Sequence, residues 1–290
     1  PEGRGEVPGG SVGGGILAAD VPLGPLIENN VIRLNRATSN GGGIGLEGSG
    51  VIEGNLIEGN RCDRGLGGGV WAWLPGYQIS VSILDNHIVQ NVAGDHGGGV
   101  YSGTPGGQTE IAGNLIADNT ASGSGHVEFS GGGLWLYGGS YWVHHNTIVG
   151  NDARGYPDPS WGGGGIAVVE DGTKLIENNI IAYSTYGGGI RCESIATFEL
   201  RNNLAWSNVG GDGNGSCADW TSANGNLAAD PLFCDMLAGD YSLAANSPAL
   251  LHPAGPLGAF PTAGCGAASA VTTPLLLQRL QSGLTWSRAR

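Results

Sequence analysis

Residues 83–91, Ile83-Leu84-Asp85-Asn86-His87-Ile88-Val89-Gln90-Asn91, place an apolar residue three positions before an Asn. A second apolar residue stands two positions after that Asn, and another Asn follows three further on. This pattern, apolar-x-x-Asn-x-apolar-x-x-Asn, recurs seven times between Gly13 and Asn208. Its leading positions are Ile27, Ile52, Ile83, Ile111, Val143, Ile176 and Leu200, and the first asparagines are Asn30, Asn55, Asn86, Asn114, Asn146, Asn179 and Asn203. The second asparagines are Asn35, Asn60, Asn91, Asn119, Asn151 and Asn208, with Ser184 in the sixth copy. Before each copy, three or more glycines run into an apolar residue, as Gly97-Gly98-Gly99 runs into Val100, and these runs recur every 24 to 34 residues.

A repeat of this length without a long helical pattern inside it describes stacked coils. The apolar residues come in short alternating groups dominated by Ile and Val, so each coil contains short strands. Three strands and three corners per coil fit the count. Asn accepts the left-handed conformation of a sharp corner, and its amide can reach the Asn of the next coil. The reading is an all-β, right-handed parallel β-helix of seven to eight coils with an internal Asn ladder. At ~4.8 Å per coil the seven coils form a rod about 34 Å long.

Composition bounds the partners. With 57 Gly and 13% charged residues, the chain would be low-complexity were its glycines not in register. The net charge is −13 and Lys174 is the single lysine, which argues against nucleic acid and anionic membrane. No stretch is apolar enough to span a bilayer. No cofactor and no metal are expected, and a monomer is. Pro1 falls inside what reads as the tail of an earlier coil, so a fragment or processed form is expected and the lack of a signal peptide says nothing about export.

Residues 1–12 read as an incomplete opening coil, 13–210 as the repeats, 211–266 as a closing segment, and 267–290 as a linker with a short tail helix opening at Thr273-Pro274. Cys62 and Cys192 are roughly 24 Å apart on the coil count, which forbids a bond between them and leaves each a buried thiol. Cys217 and Cys234 flank a Gly/Asn/Asp-rich loop where a disulfide would staple the last coil. Cys265 has no obvious partner.

The run Asp230-Pro231-Leu232-Phe233, followed by Gly239-Asp240-Tyr241 and Ser247-Pro248-Ala249, resembles the closing segment of secreted bacterial right-handed parallel β-helix repeat proteins, including the choice-of-anchor group. The glycine and Asn repeats are similar to those of polymorphic outer-membrane proteins. The resemblance covers most of residues 13–266. It implies export to the outside or the surface of a bacterium, and it implies no single reaction, because the fold hosts lyases, hydrolases, epimerases and adhesins.

Chemistry is expected on the outer face of the strand after the glycines. With Val70, Val100 and Leu134 inward, alternation sends Trp71, Tyr101 and Trp135 outward, with Trp73 and Tyr137 beside them. Such a strip either binds sugar rings of a polysaccharide or surface glycan, or lies covered by loops. Asp95, His96, Glu128, Asp152 and Asp158 are candidate acid/base groups in neighbouring loops, though none is embedded in a signature. Neither the paired-aspartate and Gly-His-Gly runs of polygalacturonases nor the Asp-Pro-His run of alginate epimerases is present. His144 and His145, as adjacent residues, should point to opposite sides. Two functions survive: an extracellular or cell-surface module binding carbohydrate or another surface through the aromatic strip, and a polysaccharide lyase or glycoside hydrolase of the pectate-lyase-like type. The missing basic residues and signatures favour the first.

Overall fold

In the computed structural model, which describes residues 12–19, 24–73, 79–123, 130–155, 158–193 and 196–268, the copies of the repeat stack in register. Ile83 lies between Ile52 and Ile111, and the stack continues through Val143, Ile176 and Leu200. Among the described residues the result is a parallel β-solenoid with almost no helix, and the expected tail helix opening at Thr273-Pro274 lies outside them. The solenoid's first sheet, from Ile16–Ala18 to Gly213–Gly215, and its third, from Val31–Arg33 to Leu227–Ala228, have eight strands each, and its second, from Leu26–Glu28 to Thr197–Arg201, has seven. A fourth sheet of five two-residue strands, from Arg36–Ala37 to Asp152–Ala153, adds a side that the three-strand expectation did not contain. It forms because the two residues after each second Asn stay extended before the glycines turn the chain. About six turns are complete, fewer than the seven to eight expected. The shortfall lies at the ends, where coils are partial.

The corners explain the Asn spacing. Each laddering Asn is preceded by the left-handed residue, as Asp85 (φ 52°), Gly113 (φ 68°) and His145 (φ 53°) precede Asn86, Asn114 and Asn146. The Asn itself does not carry the left-handed turn, contrary to the expectation; it turns its amide inward behind the corner. Asn86 donates from its backbone N and Nδ2 to Asn114 Oδ1 at 2.9 and 3.0 Å, and Nδ2 also donates to the Ile52 carbonyl at 2.8 Å. The ladder runs unbroken from Asn30 through Asn55, Asn86, Asn114, Asn146, Asn179 and Asn203. It gains an eighth rung at Asn226. The second asparagines build a parallel ladder from Asn35 to Asn151, which breaks where Ser184 has no amide to offer. Buried backbone groups at both corners are thereby satisfied.

On the opposite side the glycines let coils approach. A Cβ on Gly98 would sit 2.4 Å from the Gly132 carbonyl oxygen, so no larger residue fits. One inward position is unexpected: Lys174 is fully buried over the Tyr141 ring, with its ammonium 5.8 Å from the ring centroid. Its Nζ donates to the carbonyls of Glu170 and Asp171, and burial pushes its pKa down to about 8.

The closing segment folds back along the rod. Tyr241, Leu243, Ala249 and Leu257 pack on Leu115, Val149, Ile180 and Leu204, covering the outer face of the third sheet. The resembled motifs supply the clamps: Tyr241 donates to Asp118 Oδ2 at 2.9 Å, Asp230 accepts from Tyr183 at 3.0 Å, and Ser247 donates to the Pro231 carbonyl at 2.6 Å. Gly213–Gly215 pairs on Gly188–Cys192, which carries Cys217 back over Cys192, and these two are bonded with Cα atoms 5.6 Å apart. Cys234 is bonded to Cys265 across a small three-stranded sheet. The expected Cys217–Cys234 bridge is therefore wrong, as is the free thiol at Cys192. Flanking one loop brought Cys217 and Cys234 together in sequence, but each is drawn to a different layer. Cys62 is buried and unbonded.

Candidate functional site

Alternation places Trp71, Tyr101 and Trp135 on the outer face of the first sheet, one above another. They are not exposed. Trp71, Tyr101 and Trp135 are 7%, 6% and 2% accessible, and form a second small core with Ala167, Val169 and Leu66. The His96 ring lies flat on Trp135, centroids 4.0 Å apart with planes 4° from parallel. Trp73 and Tyr137 are half-buried and lean together across Gly103, centroids 6.4 Å apart. A row of large rings outside a sheet costs too much to leave in water, and the covered alternative holds for its three central members.

Each described candidate acid/base group is held by neighbours of its own. Asp95 and His96 are buried beside each other at 3.4 Å. Asp152 is buried and accepts from Arg154 Nε at 2.9 Å and Thr185 Oγ1 at 3.2 Å. Asp158 is a cap, accepting from Ser160 N at the start of the turn Pro159–Trp161. Glu128 lies outside the described residues. Among those described, no hydrogen bond or ion pair joins two of these carboxylates, and no group of three or more His, Cys, Asp or Glu is placed to hold a metal.

The exposed aromatic cluster lies elsewhere, on the outer face of the second sheet. In Ser140–His144, Val143 points inward, so Trp142 points out, between Glu110 of the preceding coil and Leu175 of the next. The indole is 45% exposed and donates from Nε1 to Glu177 Oε1 at 2.8 Å. Glu177 Oε2 accepts from Arg201 Nε at 2.7 Å, and Arg201 Nη1 reaches Glu199 at 3.2 Å. Partial burial opposes ionisation of Glu177, but the bonds from Arg201 and Trp142 win and hold its pKa below the ordinary value. His144 packs on the indole, centroids 4.0 Å apart, and its Nε2 meets Glu110 Oε1 at 3.1 Å.

His145 corrects a further expectation. Its left-handed corner conformation swings its ring to the same side as His144, and their Nδ1 atoms are 3.0 Å apart. Strand alternation ends where the corner begins. Burial and the neighbouring His144 lower the His145 pKa, favouring the neutral ring that one such hydrogen bond requires.

Residues 11–153 match the family described as a right handed beta helix region. Together with the stacked parallel sheets, the match supports a right-handed parallel β-helix fold. No curated protein and no solved structure matches the chain.

Proposed function

We propose that this chain is an extracellular or cell-surface β-helix module that binds carbohydrate through the outer face of the second sheet. The observation that carries the reading is Trp142, a half-exposed indole held in place by Glu177 and bracketed by Glu110, His144 and Arg201. An indole face offers the C–H face of a sugar ring on the order of 1 kcal/mol, and the surrounding carboxylates, imidazole and guanidinium supply partners for hydroxyls. These side chains follow the rod axis, where the coil step of ~4.8 Å is close to the length of a sugar residue. Two disulfides support an oxidising compartment, and the net charge of −13 favours neutral over uronate chains.

A glycan array probed with wild type and Trp142→Ala tests the reading, alongside reducing-sugar and unsaturated-uronate assays on the bound glycans. Binding by wild type that Trp142→Ala loses, with no product released, is the expected outcome. An array on which wild type binds nothing removes the reading. Product release moves it to the lyase or hydrolase class.

A further inference from the structure

Adjacent strand residues face opposite sides, yet His144 and His145 bring their Nδ1 atoms to 3.0 Å at the rim of the second sheet. Two features hold them there. The corner conformation of His145 (φ 53°) turns its ring back toward its neighbour, and the rings meet edge to face with centroids 5.2 Å apart. His144 is fixed from behind, by the Trp142 indole with centroids 4.0 Å apart and by Glu110 Oε1 at 3.1 Å from its Nε2. An ionised carboxylate only accepts, so the His144 proton sits on Nε2 and its Nδ1 presents a lone pair. His145 Nδ1 therefore donates the one proton that lies between the rings.

We propose that these two Nδ1 atoms chelate a divalent transition cation of tetragonal preference, Cu²⁺ ahead of Ni²⁺ and Zn²⁺. Imidazole nitrogen suits these ions, whereas Ca²⁺ and Mg²⁺ take oxygen. With metal–nitrogen distances of about 2.0–2.1 Å, two nitrogens 3.0 Å apart subtend roughly 95° at the ion. That is close to the right angle of a tetragonal site, whereas a tetrahedral Zn²⁺ would need the nitrogens opened to about 3.3 Å.

The surroundings already have the form of a ligand shell. Glu110 stands on the far N–H of His144, as carboxylates do that orient a metal-bound imidazole. On binding, the shared proton passes through water to His145 Nε2, and the exposed His145 ring turns so that both lone pairs meet at the ion. Glu110, Glu177 and Glu199 outnumber Arg201 on this face, which favours a cation. Among the described residues no third His, Cys, Asp or Glu joins the pair, so water fills the other two equatorial positions. The site uses Trp142 only as packing for His144, and does not rest on the carbohydrate reading.

The test is calorimetric titration of the full oxidised chain with Cu²⁺ near neutral pH, with electron paramagnetic resonance of the complex. One ion is expected whose binding depends on His145 and whose spectrum shows two imidazole nitrogens. Zn²⁺ should bind at least tenfold more weakly. His145→Asn keeps the corner, since Asn178 (φ 57°) holds the same place one coil on; it should weaken Cu²⁺ at least tenfold and leave one nitrogen. Glu110→Gln keeps both ligands but removes the carboxylate behind His144, and should weaken Cu²⁺ about tenfold. His87→Ala, at an exposed histidine of the third sheet, should change nothing. Circular dichroism checks that each variant is folded. Absence of saturable binding, indifference to His145→Asn or Glu110→Gln, a loss in His87→Ala as large as in His145→Asn, or Zn²⁺ held as tightly as Cu²⁺ would each overturn the proposal.

Discussion

Asn114→Ala removes a central rung, and the cost can be worked from the bonds that end there. Asn114 Nδ2 donates to Asn146 Oδ1 at 2.9 Å, to the Ile83 carbonyl at 2.8 Å and to the Ala112 carbonyl at 2.9 Å. Its Oδ1 accepts from the backbone N and Nδ2 of Asn86. After truncation, Asn86 Nδ2 keeps the Ile52 carbonyl and Asn146 Oδ1 keeps the Asn114 backbone N–H. The Asn86 backbone N–H has no such second partner and is left buried. One orphaned buried donor costs about 1–3 kcal/mol, and weakened bonds at the two carbonyls bring the expected loss to roughly 2–4 kcal/mol. Asn30, the first rung, is exposed at the end of the rod, so Asn30→Ala should cost under about 1 kcal/mol, since water can replace what is lost. Urea unfolding followed by both circular dichroism and fluorescence measures the two. Equal losses at the two rungs, or a loss under a few tenths at Asn114, would refute the claim that the ladder stabilises by satisfying buried groups.

Four further outcomes follow from the packing. Trp135→Ala should destabilise by about 3–5 kcal/mol, because the ring is buried under His96, and should leave glycan affinity of the folded protein unchanged; thermal melts with binding checked below the midpoint decide this. Lys174 has a folded pKa of about 8, below its unfolded value, so the unfolded chain holds more protons between the two. Stability should therefore rise from pH 8 to pH 10, by up to roughly 3 kcal/mol for the full shift, before the buried tyrosines oppose it, and Lys174→Met should flatten the rise in urea midpoints. Non-reducing peptide mapping should find Cys192–Cys217 and Cys234–Cys265, with Cys62 alkylated only after unfolding. Opening either bridge by Cys→Ser at Cys217 or Cys265 should cost about 3 kcal/mol, as their loops span 25 and 31 residues.

The solenoid was legible because its signal is periodic: seven copies of one Asn spacing leave little freedom in register. The ladder's eighth rung, Asn226, is hard to see because its copy is incomplete: Ala223 stands three before it and Ala228 two after, but Pro231 takes the place of the second Asn. Outward orientation of Trp71, Tyr101 and Trp135 could be counted from Val70, Val100 and Leu134, but burial could not. What covers a strand's outer face depends on loops whose paths no local pattern sets. The same alternation, applied to Ser140–His144 with Val143 inward, would have found Trp142. The disulfides failed for a different reason. Cys217 and Cys234 are near in sequence, but coil stacking decides the pairing and puts Cys217 over Cys192.

Carbohydrate binding is proposed for Trp142 on the outer face of the second sheet. Calorimetric titration of wild type, Trp142→Phe and Trp142→Ala with the glycan that wild type holds best tests it most directly. At least a fivefold weaker affinity is expected for the Ala variant, matching a ring contact of about 1 kcal/mol, with partial recovery in the Phe variant. Equal affinity in all three would contradict it.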